Sequence, residues 1–394
     1  MTKLAIVSSY NTLCGIAKYV ARLQAALSGD FIVEIIKIDV DLLRKTSNSD
    51  RILGDNHIEE IIISLNNFDV VNIHVENGLF GSKSIDVSRR LKRLFGIEKP
   101  LFLTMHWLSP KPSFDFQSFL TDALSFRFTR IYRYFDQRYH YNLVGSSLYG
   151  QELKAHQQRK FVGFIAHSRR DRSRLQDEFG LNQIYDHPVS YLTKDEIEVI
   201  QNRASRNSFP CLSLIPENSK IYGLFGFLAP YKGIEVAIQA MNYLGHDHYL
   251  AIFGDLAPGN KETSYRDMLE KEARKLGGRV VFCGGQPEDL FLDAISTCDA
   301  VLMPYREVGL SSSGPASLAL ELGKRVIASD ILAFRSLPDY FPGQLQFFSE
   351  GNAQDLASKI QSAQEFSSQT NIPGSSFRKN VDTYKKMIEL AIKK

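Results

Sequence analysis

Short apolar runs recur along the chain, each followed by a segment whose apolar residues return at helical spacing. Leu4–Ser8, Ile32–Ile38, Val70–His74, Leu101–Met105 and Val162–Ala166 have the length of buried strands. Ile16–Leu27, His57–Asn67, Ser84–Phe95, Phe116–Tyr139 and Ser168–Phe179 carry the helical pattern between and after them. This alternation predicts a parallel sheet covered by helices. A polar stretch with two prolines, from Thr193 to Lys220, interrupts the series. A second series follows, with strands at Ile221–Phe225, Tyr249–Phe253, Val280–Cys283, Ala300–Met303, Arg325–Ala328 and Leu345–Phe348. Helices are expected at Ile234–Leu244, Tyr265–Leu276 and Glu288–Thr297, and a last one puts Val381, Tyr384, Met387, Ile388 and Leu390 mostly on one face. The expected fold is α/β, with two doubly wound, Rossmann-like domains. Residues 1–192 form the first, 193–219 a linker, 220–375 the second, and 376–394 a terminal helix.

Composition changes this picture little. The 394 residues are 44% hydrophobic and 23% charged, ordinary values for a globular protein. A net charge of +3 gives no argument for nucleic acid. Cys14, Cys211, Cys283 and Cys298 are widely spaced and form neither a zinc pattern nor a disulfide framework, so a reducing cytoplasm is the expectation. The start, MTKLAIVSSYN, reads as a first strand and not a signal peptide. No apolar run approaches the ~18 residues that would span a membrane.

Candidate chemistry falls where strands end, the edge at which open parallel sheets bind ligands. The stretch Ala300–Ser329 is a strand, a polar loop with Glu307, a Ser311–Ser312–Ser313–Gly314 helix start and a second strand. Such a start suits a phosphate, and a plain serine-capped helix accounts for the same residues. The loop Ser8–Gly15 ends on Gly15 before a helix, without the GxGxxG or P-loop pattern, so either an anion cradle or a simple turn fits. In GLFGFLAPYKG, Lys232 stands at a helix start, a position the helix dipole disfavours unless an anion is met there; an exposed turn is the alternative. His74, His106, His167 and His187 each follow a strand, and no HxH or HxxxH spacing suggests a metal. Phe126–Tyr141 interleaves Arg127, Arg130, Arg133 and Arg138 with aromatic residues, as a peripheral membrane contact or a solvated helix would.

Taken in order, these pieces resemble a retaining GT-B glycosyltransferase of family 4, in its mannosyltransferase-like branch. NTLCGIAKYV is similar to the family's glycine loop, HVENGLFG to its His-Glu-Tyr-Gly-x-Phe-Gly segment, and LTMHW to its Thr-x-His strand end. FGFLAPYKGIEVAIQAM is similar to the donor-binding Lys-Gly segment, and PYREVGLSSSGPASLALELGKRVIAS occupies the place of the Glu-x7-Glu motif. Three positions depart from the pattern: Cys14 replaces a glycine, Phe227 an arginine, and Pro315 the second glutamate.

The resemblance implies a cleft between two facing domains and a last helix crossing back to the first. It implies a nucleotide-diphosphate sugar as donor, no cofactor and no metal, and a glycan, lipid-linked or other hydroxyl acceptor, as in polysaccharide synthesis. Glu307 and His106 would be catalytic. Gly15, Lys232, Ser311, Ser312, Ser313 and Gly314 would hold the donor diphosphate. The base would lie near Cys283, Gly284 and Gln286, and His74, Glu76 and Asn77 would face the acceptor. The alternatives are a nucleotide-sugar epimerase of the same fold and a degenerate sugar-nucleotide-binding partner protein.

Overall fold

Twelve strands form two parallel sheets in the computed structural model, which describes residues 1–12, 15–108, 125, 128–257, 263–307, 313–362 and 377–393. The first sheet contains β1 (Lys3–Ser8), β2 (Ile32–Lys37), β3 (Val70–Val75), β4 (Leu101–Met105), β5 (Val162–Ala166) and β6 (Ile184–Asp186). Its strand order is β2-β1-β3-β4-β5-β6. The central strands β3, β4 and β5 are buried along their whole length, as continuous apolar runs covered on both faces must be. The edge strand β2 shows a mixed pattern of exposed and half-buried residues.

The second sheet contains β7 (Lys220–Phe225), β8 (His248–Phe253), β9 (Val280–Phe282), β10 (Ala300–Met303), β11 (Arg325–Ser329) and β12 (Leu345–Phe348), in the order β12-β11-β10-β7-β8-β9. Each sheet reverses its winding once, between β1 and β3 in the first and between β7 and β10 in the second. These are the topological switch points, where loops diverge and leave a crevice.

The chain divides into two compact units, Met1–His187 with Val381–Lys394, and Pro188–Asn380. The terminal helix, Phe377–Ile392, therefore belongs to the first unit from Val381 onward. Its Tyr384, Met387, Ile388 and Ala391 are fully buried, and the Tyr384 hydroxyl lies 2.9 Å from Thr104 Oγ1 on β4. The expected linker is a folded part of the second unit. It carries a helix, Lys194–Arg203, opened by a Thr193–Glu196 capping box. Ile197, Ile200, Phe209, Leu212 and Ile215 join that unit's core, so polarity and prolines there mark a covering layer, not a free connection. No helix among the described residues is long and apolar enough to cross a membrane.

Candidate functional site

The second unit brings several predicted residues together at its switch point. β7 ends at Phe225, and the chain then turns through Gly226 at φ 96° and a 3-10 turn, Pro230–Lys232, into the helix Ile234–Ala240. Gly233 adopts φ 60°, and a Cβ there would stand 2.0 Å from the carbonyl oxygen of Pro304. Only glycine allows both that conformation and that approach. The closeness seats the turn after β7 against the loop after β10. The Arg306 amide donates to the Tyr231 carbonyl at 2.7 Å, and the Arg306 guanidinium meets Glu235 at 2.5 Å.

Lys232 folds back into this junction. Its ammonium donates to the Phe225 carbonyl at 2.7 Å and lies 5.5 Å from the centre of the Tyr305 ring. The residue is 4% exposed, and burial pulls its pKa down from 10.5 to about 8. A Cβ on Gly226 would come within 2.3 Å of this ammonium and 3.9 Å of Pro315. The start of the helix Gly314–Glu321 thus lies beside Lys232, with Ser313 as its N-cap and the Ser313 hydroxyl 3.5 Å from the Tyr305 hydroxyl. A cation and the positive end of a helix converge on the crevice, an arrangement that attracts phosphate oxygens. Tyr305 was not foreseen from sequence; its place at the end of β10, two residues before Glu307, was the available signal.

The remaining predicted residues of this unit lie around that core. Glu307 is exposed; its carboxylate accepts from the Leu332 amide at 2.8 Å, and its own amide donates to Glu350 at 3.1 Å. Ser311 and Ser312 lie outside the described residues. Glu321, the nearest substitute for the missing second glutamate, is committed elsewhere. It is 3% exposed and accepts from the Tyr191 amide at 2.9 Å and from the Ser190 hydroxyl, anchoring the start of this unit. Phe227 is 52% exposed and takes no part in the junction's packing.

Cys283, Gly284 and Gln286 follow β9, with Gly284 at φ 70° and the Gln286 side chain donating to the Cys283 carbonyl at 2.6 Å. Cys283 is disulfide-bonded to Cys211, with the Cα atoms 5.4 Å apart. This corrects the expectation that the cysteines form no disulfide. The partners are 72 residues apart, on a covering turn and a strand end, and such a pairing leaves no spacing signal in a sequence.

In the first unit, predicted residues converge at the ends of β3, β4 and β5. His74 Nδ1 and His106 Nε2 are 2.8 Å apart, and their rings stack at 5.0 Å. His167 tilts against His106 at 4.8 Å, and its Nδ1 lies 3.1 Å from the His187 carbonyl oxygen. Burial holds His74 at about 3 and His167 at about 4, and pushes His106 well below its ordinary 6.5, so all three rings are neutral near pH 7. His74, expected on the acceptor side, is fully buried.

Glu76 caps the short helix Asn77–Phe80 by accepting from the Gly78 amide, and the Asn77 side chain meets His140 Nε2 at 2.7 Å. Glu76 also lines a cavity of about 630 Å³ beside the switch point of this sheet, together with Ser9, Lys37, Asp41, Arg44 and His57. Its wall is pre-formed: Arg44 Nε donates to the Gly78 carbonyl at 2.8 Å, and His57 Nε2 accepts from the Asp39 amide at 3.1 Å. Sequence gave no sign of Lys37, Arg44 or His57, because none sits in a recognisable motif. Gly15 opens the helix Gly15–Leu27, and Cys14 lies outside the described residues. Of the basic, aromatic stretch, Phe126 and Arg127 lie outside them too, while the helix Phe128–His140 leaves Phe135 and Tyr139 exposed.

Residues 210–380 match the family Glycosyl transferases group 1. Solved structures with a similar fold include a glycosyltransferase from Rickettsia africae ESF-5, 16% identical over 98% of this chain and 99% of that one, with a TM-score of 0.62. HepE of Anabaena in complex with UDP-glucose is 14% identical, covering 99% of each chain, with a TM-score of 0.57. An α,α-trehalose-phosphate synthase (UDP-forming) from Burkholderia xenovorans, in complex with glucose-6-phosphate, is 12% identical over 98% of this chain and 96% of that one, at 0.62. No curated protein matches the chain. The fold is that of the GT-B proteins, and the match over residues 210–380 together with it supports a glycosyltransferase.

Proposed function

We propose that the protein is a retaining glycosyltransferase that moves a sugar from a nucleoside diphosphate to a hydroxyl acceptor. The observation that carries this reading is Lys232, a buried ammonium held at the β7–β10 switch point beside the start of the helix Gly314–Glu321. The bond from the anomeric carbon to the diphosphate oxygen breaks, and the electron pair stays on that oxygen. Lys232, Ser313 and the Gly314 helix start stabilise the charge that develops there, as do Ser311 and Ser312. With that positive potential supplied, transfer needs no metal, and turnover should be unchanged by a chelator.

The acceptor hydroxyl attacks from the same face, its oxygen bonding to the anomeric carbon while its proton passes to the departing phosphate oxygen. This route needs no enzyme nucleophile, unlike the two carboxylates of retaining glycosidases. Glu307 orients the sugar ring, and His106 hydrogen-bonds a substrate hydroxyl. Cys283, Gly284 and Gln286 border the base. The cavity lined by Lys37, Asp41, Arg44 and Glu76 receives the acceptor, since full donors and full carboxylate acceptors around one concavity suit a ligand with many hydroxyls. Exposed Phe135 and Tyr139 support contact with a membrane surface that would present a lipid-linked acceptor. Loss of vesicle binding on replacing both residues is the expected result.

HepE with UDP-glucose makes UDP-glucose the first donor to test. A melting-temperature screen against UDP, GDP, ADP and their glucose conjugates should show a rise for one nucleotide. Glu307→Ala should then lower turnover more than about tenfold. No shift with any of the six, or unimpaired turnover in the Glu307 variant, refutes the corresponding assignment.

A further inference from the structure

We propose that His74 is a positioning residue: its Nδ1–H donates to Nε2 of His106 and so fixes His106 as the tautomer that carries its proton on Nδ1. The effect on sugar transfer rests on the role of His106 given above; the tautomer itself does not.

The two rings are brought together by adjacent strands. His74 pairs with Thr104 in the β3–β4 register, and the His106 amide continues the ladder by donating to the Val75 carbonyl at 2.9 Å. Below them a polar string ties the strands to the terminal helix. The Asn72 side chain donates to Thr104 Oγ1 at 3.1 Å, and Thr104 meets the Tyr384 hydroxyl. The His106 ring is stacked on His74, tilted against His167, and faces the edge of Tyr19 at 5.9 Å. Its position is therefore over-determined by packing before any ligand arrives.

The direction of the hydrogen bond follows from what the other nitrogens touch. Both rings are neutral, so one proton lies between Nδ1 of His74 and Nε2 of His106. His74 Nε2 is buried and has no hydrogen-bond partner among the described residues. If His106 were the donor, the proton of His74 would sit on that nitrogen as a buried N–H with nothing to accept it. Orphaned buried N–H groups are rarer than under-used acceptors. The neighbouring His167 shows the same preference: its Nδ1 faces a carbonyl and must carry the proton, leaving its Nε2 bare, buried and unpartnered. His74 is therefore the donor and His106 Nε2 the acceptor. What His106 offers a substrate is an N–H at Nδ1, a donor to a sugar oxygen.

Long-range proton–nitrogen spectra of the ligand-free full chain test this directly, with the His106 signals identified by their loss in His106→Gln. The expected pattern is a protonated Nδ1 and a bare Nε2, the tautomer that free histidine disfavours in water. In His74→Leu the pattern should revert, whereas His74→Asn, whose amide N–H replaces Nδ1–H, should preserve it. With the best of UDP-glucose, GDP-glucose and ADP-glucose as donor, kcat should fall about tenfold in His74→Leu and recover in His74→Asn, with the donor KM changed less than about twofold. A protonated Nε2 on His106 in the wild type overturns the proposal, as does equal loss of kcat in the Leu and Asn variants. If no donor turns over, the glycosyltransferase reading fails while the spectra still decide the tautomer.

Discussion

Replacing Lys232 with methionine should stabilise the ligand-free protein and weaken its hold on nucleotide. Burial lowers the ammonium's pKa from 10.5 to about 8, so at pH 7 the folded state holds a charge that the unfolded chain solvates better. A depression of this size corresponds to about 3 kcal/mol of cost. For a base with a lowered folded pKa, that cost is full below the folded value and disappears as pH rises past the unfolded one. Methionine keeps the apolar stem and removes the charge, but it leaves the Phe225 carbonyl without its 2.7 Å donor, which returns about 1 kcal/mol. The net expectation is about 2 kcal/mol of stabilisation, a rise of about 4–8 °C in melting temperature for a unit of this size.

Binding should move the other way. A charge-assisted hydrogen bond to phosphate contributes about 1.5–3 kcal/mol, so the UDP dissociation constant should rise between about tenfold and 150-fold. Scanning calorimetry of the ligand-free variant and titration calorimetry with UDP measure the two halves. Between pH 8 and 10.5 the wild type should gain stability relative to the variant, closing the gap. A variant that melts below the wild type, or binds UDP equally well, refutes the account of Lys232 as a cation held at a cost for its ligand.

Gly226→Ala should weaken UDP binding as Lys232→Met does but lower the melting temperature, because its Cβ would lie 2.3 Å from the ammonium at a backbone φ of 96°. Acid should destabilise the first unit earlier than carboxylate titration would. His74 and His167, held neutral at about 3 and about 4, contribute stability present above pH 6.5 and lost as pH falls, at about 1.4 kcal/mol per unit for each ring. Urea midpoints at pH 7 and 5 should differ accordingly, and the difference should shrink in His74→Phe. Arg90→Leu should cost about 3–5 kcal/mol in urea unfolding. The wild-type guanidinium is fully buried against Asp55 and the Leu43 and Phe80 carbonyls, and the variant would leave both carbonyls without this donor and Asp55 with Arg89 as its remaining ion-pair partner among the described residues.

The alternation of apolar runs and amphipathic segments was enough to foretell eleven of the twelve strands, because strands buried on two faces must be continuously apolar; the edge strand β6, three residues long and half-buried throughout, carries no such run. Lys232 was legible as a conflict with its own helix start, and Gly233 as a turn. What stayed hidden was pairwise. Cys211 and Cys283 meet only after strands have been ordered, and no local pattern announces a covering turn reaching a strand end. His74 was recognised as a strand-end histidine, but whether its ring faces a ligand or another ring depends on the β3–β4 register. Residues 193–219 looked like a linker because a helix that covers a core needs apolar residues at few positions, and Ile197, Ile200 and Leu212 are easily outweighed by their polar neighbours.

The departures from the pattern that the sequence resembles have a physical reading on the same terms. The frame of the second unit's crevice is built from backbone. The Pro304 carbonyl rests on Gly233, the Gly226 carbonyl approaches Gly254 so closely that a Cβ there would stand 2.0 Å away, and the Phe225 carbonyl receives Lys232. None of these contacts requires a side chain at 227 or 315. Phe227 faces solvent, and Pro315 is accommodated in the first turn of its helix, where proline's missing N–H removes no helical bond. An arginine and a glutamate can therefore be absent without disturbing the geometry around Lys232. Restoring them singly, as Phe227→Arg and Pro315→Glu, should raise UDP affinity if the frame is intact, with little change in melting temperature. A fall in both would show that positions 227 and 315 are part of the frame after all.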